Sequence, residues 1–256
     1  MHLSSAVYPS LANRVVFITG GGSGIGAAMT QAFARQRAKV AFVDIAEEAS
    51  RRLVDEVHGA SGVPPLFLPC DVRDVAMLAA SIASVRERLG PVGILINNAA
   101  SDDRHRLEEL TPQQWDERMA LNLRPAFFAS QAVMAHMREL GGGSIINLGS
   151  ICWRIGAAHL TAYATAKAAM HGLTRSLARE LGAHGIRVNT LSPGCVMTER
   201  QLQLWVSPAQ EKIIQATQYV KGRILPEHIA HCALFLAADD SAMLTAQEMI
   251  VDGGWA

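Results

Sequence analysis

Cysteine is scarce: Cys70, Cys152, Cys195 and Cys232 are the only four in 256 residues, and they lie far apart. They form no C-x-x-C pair, and no histidines stand at zinc-finger spacing, which argues against a structural zinc module and a disulfide-stapled scaffold. Reduced thiols in a cytoplasmic protein are the expected state. Net charge is missing too: 23 basic residues face 23 acidic ones, so no overall field draws nucleic acid or an anionic membrane. No stretch approaches the about 18 apolar residues of a membrane span. The opening "MHLSSAVYPSLANR" has no basic head leading into an apolar core. Linkers rich in Pro, Gly or Ser, internal repeats and low-complexity tracts are also lacking, so a single domain over 1–256 is expected.

What is present is apolar material: 50% of the residues are hydrophobic and 18% charged, enough for a large core. It comes in short runs. "RVVFITG" (14–20), "KVAFVDI" (39–45), "PLFLPCD" (65–71), "VGILINN" (92–98), "GSIINLGS" (143–150), "IRVNTLS" (186–192) and "EMIVDGG" (248–254) are β-rich and bounded by turn residues. Stretches such as 24–37, 74–89, 112–139 and 161–183 separate them with Ala, Leu and Met at helical spacing. Strands apolar on both faces and alternating with helices predict an α/β fold, a doubly wound parallel seven-stranded sheet with helices on both faces. Region 195–225 breaks the rhythm between the sixth strand and the last helix. Ligands in such folds sit at the carboxyl ends of the strands, so this insertion reads as a substrate lid.

The first strand ends in "TGGGSGIG", Thr19 to Gly26, and runs straight into a helix. Glycine lets the backbone turn sharply beside a pyrophosphate, while the helix N-terminus offers free N–H groups and a partial positive charge. Asp44 ends the second strand about 20 residues on, where a dinucleotide fold wants an acid. Its carboxylate can accept from adenosine ribose hydroxyls and would repel the extra phosphate of NADP, which points to NAD; capping of the following helix is the alternative. Arg37 and Lys39 soften that preference without replacing the acid.

"YATAK" places Tyr163 and Lys167 at i and i+4 on one helical face, so an ammonium can sit near a phenol and favour its ionised form. Such a tyrosine can serve as a general base. Ser150, at the end of the fifth strand, can reach the same cavity.

Together these motifs resemble the short-chain dehydrogenase/reductase family, a Rossmann-type fold, over essentially the whole chain. In the glycine turn the resemblance implies cofactor contacts from Gly20, Ser23, Gly24, Ile25 and Gly26, with Asp44 and Ile45 following the second strand. "CDV" (Asp71, Val72) matches the adenine-edge contact, and "NNAA" (Asn98, Ala99) matches the end of the fourth strand, with Ala100 where the family usually has glycine. "SPG" with Pro193, Gly194, Val196 and Thr198 matches the nicotinamide-carboxamide stretch. Asn122, Ser150, Tyr163 and Lys167 match the catalytic tetrad: Tyr163 takes the substrate proton, Ser150 orients the oxygen, Lys167 lowers the tyrosine pKa and binds the nicotinamide ribose, and Asn122 holds a relay water.

Within the family, "SSAVYPSL", "NNAASDDRH", "WDERMALNLR", "GSICWRIG", "KGRILPE" and "DGGW" resemble the NAD-dependent aldose 1-dehydrogenases, which oxidise pentoses or hexoses to lactones. A sugar needs polar groups beside an aromatic surface. Trp153 and Trp205 are the candidate platforms, and Asp102, Arg104, His105, Arg154, Gln201 and Asn147 the candidate polar contacts. Solvated loop or packing roles are the alternatives for each, and Asp103 falls under the same choice. His228, His231 and Cys232 mimic a metal set but have no evident further ligand, so no metal is expected; Trp115 and Trp255 read as packing residues, the latter at a subunit contact. The Ala-rich faces of 112–139 and 161–183 are those that pack between subunits in the family, implying a homotetramer. Other family chemistry on polyols, secondary alcohols or 3-oxoacyl groups, and NAD binding without turnover, are the competing readings.

Overall fold

The computed structural model describes residues 6–256, so Ser4 and Ser5 of "SSAVYPSL" lie outside the described residues. Its frame is a seven-stranded sheet: β1 (Val15–Thr19), β2 (Lys39–Asp44), β3 (Leu66–Pro69), β4 (Val92–Asn97), β5 (Gly143–Leu148), β6 (Ile186–Pro193) and β7 (Glu248–Val251). The order is β3-β2-β1-β4-β5-β6-β7, with every neighbouring pair parallel. The chain winds one way from β1 to β3 and the other way from β4 to β7. The reversal opens a crevice between β1 and β4 at their carboxyl ends.

Helices α1 (Gly24–Arg35), α2 (Glu47–Ser61), α3 (Val75–Leu89), α4 (Pro112–Asn122), α5 (Arg124–Glu139), α6 (Thr161–Leu181) and α9 (Pro226–Ala237) cover the sheet, while α7 (Glu199–Leu204) and α8 (Pro208–Thr217) stand in the insertion 195–225. Side chains alternate along each strand, so Val16 and Ile18 of β1 enter one apolar layer with Met29, Phe33 and Leu234, and Val15 and Phe17 enter the other with Ile82, Val133 and Leu181. Burial on both faces is why the strands read as unbroken apolar runs.

The stretch 112–139 with helical spacing forms two helices. Leu123 leaves helical geometry (φ −133, ψ −55) between α4 and α5. Pro125 lacks the N–H a continuous helix would use, and its ring collides with the preceding turn. The break leaves Asn122 at a helix end, 1% exposed. Ala100 keeps a negative φ, so its methyl costs the turn nothing.

Candidate active site

One cleft of about 1080 Å³ runs along the carboxyl ends of the strands, walled by Gly20 after β1, Asp44 of β2, Asp71 after β3, Asn98 after β4, Ser150 after β5 and Pro193 of β6. The volume suits a dinucleotide with a small second ligand beside it.

The glycine turn is built for close approach. Gly20 and Gly24 adopt left-handed φ values of +66 and +52, and a methyl on Gly26 would fall 1.8 Å from the Gly20 carbonyl oxygen. Only hydrogen fits there. Ser23 stands at the start of α1 without a side-chain capping bond, leaving the first N–H groups and their partial charge facing the cleft. Thr19 closes the floor: its Oγ1 accepts from the N–H groups of Asn98 (2.9 Å) and Ala99 (3.1 Å), and Asn98 Nδ2 donates back to the Gly20 carbonyl at 2.8 Å. Asp44 accepts from Gly22 N–H through Oδ2 and from Ala46 N–H through Oδ1, both at 2.9 Å. The carboxylate thus ties the glycine turn to the start of α2 while lining the cleft, so ribose contact and capping are compatible roles. Asp71 is held by a bidentate contact from Arg73, which keeps its pKa below the usual carboxylate range, and Val72 is buried beside it. A pyrophosphate-bearing cofactor therefore fits the residues present: a cradle that a Cβ would fill, an uncapped helix start and a carboxylate at the second strand.

Ser150, Tyr163 and Lys167 meet deeper in the cleft. Ser150 Oγ accepts from Cys152 N–H at 3.2 Å, starting the short turn Ile151–Trp153, and lines the cleft with Tyr163. Lys167 Nζ lies 5.6 Å from the centre of the Tyr163 ring and donates to the Leu148 carbonyl at 2.7 Å. Burial dominates both titrations. It pushes the Tyr163 phenol well above its ordinary value, helped by Cys152 and the charge of Asp102, and it brings Lys167 down to about 8. The expected lowering of the tyrosine by Lys167 does not appear among the influences on the phenol, where burial dominates. Asn122 Oδ1 accepts from Ser101 N–H at 2.9 Å, and its Nδ2 is buried without a partner.

The insertion 195–225 folds over this site. Val196 bridges Ile224 at its base, Thr198 caps α7 through the Gln201 N–H and its methyl faces Gly24, and Cys195, Val196, Arg200, Gln201 and Trp205 line the cleft. Met197, Val206 and Ile214 form a small apolar cluster of their own, against which Trp205 and Trp255 pack.

The structure sorts the substrate candidates. Asp102, Arg104, Gln201 and Trp205 line the cleft; Trp153, Arg154, His105 and Asn147 do not. The turn Ile151–Trp153 directs Ile151 and Cys152 inward and Trp153 outward, where its ring meets His171 at 5.2 Å and the Arg154 guanidinium at 4.6 Å. Arg154 pairs with Glu248 of β7. His105 donates its backbone N–H to the His159 carbonyl, and its two ring nitrogens are buried without partners. Asn147, wholly buried in β5, accepts from Asn97 Nδ2 at 2.8 Å and donates to Thr174 Oγ1 at 2.9 Å, so it knits the sheet to α6. His228 accepts from Leu225 N–H and caps α9. Trp255 packs against the Met197–Val206–Ile214 cluster and also lines the cleft, its backbone N–H donating to the Asp252 carboxylate. Arg200 carried no sequence signal, because its carboxylate partners stand about a hundred residues earlier.

A family model described as enoyl-(acyl carrier protein) reductase matches residues 20–256. The chain is 49% identical to a D-xylose 1-dehydrogenase of Caulobacter vibrioides over 253 residues, covering 99% of this chain and 100% of that one. It is 47% identical to a protein named as a probable galactose dehydrogenase of Rhizobium meliloti, covering 99% of each. Among solved structures, a gluconate 5-dehydrogenase from Burkholderia cenocepacia in complex with NADP and tartrate superposes with a TM-score of 0.89 at 29% identity, covering 96% of this chain and 97% of that one.

Proposed function

The chain belongs to the short-chain dehydrogenase/reductase family, and from that premise we propose that it oxidises the anomeric hydroxyl of a pentose or hexose to the lactone with NAD. The observation that carries this reading is that Ser150, Tyr163 and the buried Lys167 line the same cleft as the glycine cradle. The near half identity to sugar dehydrogenases supports the substrate class.

When bound, the nicotinamide supplies the hydride acceptor, the hard part of the chemistry. Gly20, Ser23, Gly24 and Gly26 would hold the pyrophosphate, Asp44 the adenosine ribose, and Pro193, Gly194 and Thr198 the carboxamide end. Ser150 orients the substrate oxygen by hydrogen bond. Tyr163 takes the hydroxyl proton as carbon gives up its hydride, so the C–O single bond becomes the lactone carbonyl. Because burial holds the phenol protonated in the free cleft, Lys167 supplies the nearby positive charge that makes the phenolate accessible during turnover. Asn122 fixes the chain at Ser101 and with it the start of the loop beside the substrate.

NAD is favoured over NADP because the Asp44 carboxylate occupies the ribose end of the cleft, where a phosphate would meet like charge. A homotetramer in the cytoplasm completes the reading. Within the chain α4 buries only Asn122, Phe127 of α5 is half exposed, and all four thiols are unpaired.

The test is NADH formation against aldoses, polyols and simple secondary alcohols. Lactone formation from an aldose is expected. Activity confined to non-sugar alcohols would overturn the sugar assignment.

A further inference from the structure

The loop "SDDR" after β4 is fastened to the lid through each of its charged residues. Arg200 Nη2 donates to Asp103 Oδ1 at 2.6 Å, Gln201 Nε2 donates to Asp102 Oδ2 at 2.6 Å, and the Arg104 guanidinium lies 4.6 Å from the centre of the Trp205 ring. Arg118 of α4 holds the loop from the other side, donating to the Asp103 carbonyl at 2.7 Å.

The two carboxylates differ in where they face. The Asp103 side chain is 57% exposed, at the rim, and the Asp102 side chain is 20% exposed. Asp102 acts electrostatically on Tyr163, Cys152 and Cys195, three side chains of the catalytic cleft. An ionised carboxylate offers about four acceptor positions. Gln201 takes one on Oδ2, and the nearest Arg200 nitrogen is 3.8 Å from Oδ1, beyond a hydrogen bond. Asp102 lines the cleft together with Tyr163, so Oδ1 is left to accept from what binds there.

We propose that Asp102 is a specificity-determining residue, accepting a hydrogen bond from a substrate hydroxyl other than the one oxidised while Gln201 ties the same carboxylate to the lid. Asp103 with Arg200 is a latch alone. The assignment rests on the sugar reading above and narrows it to neutral polyhydroxylated substrates, because a carboxylate or phosphate at that position would meet like charge.

The experiment measures kcat/KM for the best aldose and each of its monodeoxy analogues with wild type, Asp102→Asn, Asp102→Ser and Asp103→Asn. Wild type should reject one analogue by about tenfold or more, the loss expected when a hydroxyl partner is removed. Asp102→Asn should lose about that factor on the parent sugar and little on the analogue, so that discrimination collapses. Asp102→Ser, which removes the carboxylate by a different route, should do the same. Asp103→Asn should slow both substrates alike and keep the ratio. Aldose turnover with an unchanged ratio in both Asp102 variants overturns the assignment by itself. Wild type inactive on every aldose removes the sugar reading, and the assignment with it, at the first step.

Discussion

Replacing Lys167 by methionine, which keeps an unbranched side chain as far as Cε and removes the amine, isolates the cost of burying it. The residue is 2% exposed, and burial moves its pKa from 10.5 to about 8. Between those values the unfolded chain holds the proton that the folded chain has released, so the unfolded state binds more protons and stability rises with pH. The whole gap, at about 1.4 kcal/mol for each tenfold, amounts to about 3 kcal/mol. From about pH 7.5 to about pH 9.5, roughly 2 kcal/mol of it should be realised. Lys167→Met has the same other ionisable groups, so the difference between the two proteins removes most of their titration. The window also ends below the ordinary tyrosine value of about 10. Urea titrations at steps of pH should show wild type gaining roughly 2 kcal/mol on the variant across that interval. A flat difference would refute the reasoning, because it would mean that the amine is as well solvated in the fold as outside it.

Tyr163→Phe should lower kcat by about a thousandfold, the scale of a lost general base, while NADH fluorescence titration gives an unchanged dissociation constant; near-normal turnover would remove Tyr163 from the chemistry. Gly26→Ala puts a methyl 1.8 Å from the Gly20 oxygen, and restoring contact at about 3.4 Å would part turn and helix by about 1.6 Å. NADH binding should weaken by about a hundredfold or more, and an affinity within about threefold of wild type would contradict the cradle. Asp44→Ser should raise the NADP-to-NAD ratio of kcat/KM by about tenfold or more. It should also lower the melting temperature by several degrees in scanning fluorimetry, because Gly22 and Ala46 lose their acceptor.

The sheet was legible because its strands are buried on both faces and so carry their signal locally, in runs such as "GILI" and "SIIN". The glycine turn, Asp44, Ser150, Tyr163 and Lys167 were legible for a similar reason: each sits at a fixed offset from a strand end or along one helix. The division of 112–139 into two helices was not legible, because Pro125 can begin a helix as well as interrupt one and composition does not say which. The substrate wall was harder. Trp153 and Arg154 follow Ser150 closely in sequence, yet a single turn swings them to His171 and Glu248. Arg200 and Trp255 reach the cleft only through the way the lid and the chain after β7 fold back, a non-local fact that no short motif encodes.

The lid's apolar cluster of Met197, Val206 and Ile214 is separate from the two layers that flank the sheet. A region with its own small core can open without disturbing the main one, so its opening free energy is set locally and lies below that of global unfolding. Substitutions in that cluster are therefore expected to change how readily residues 195–225 open, and to move the melting point of the scaffold less than substitutions in the two main layers do.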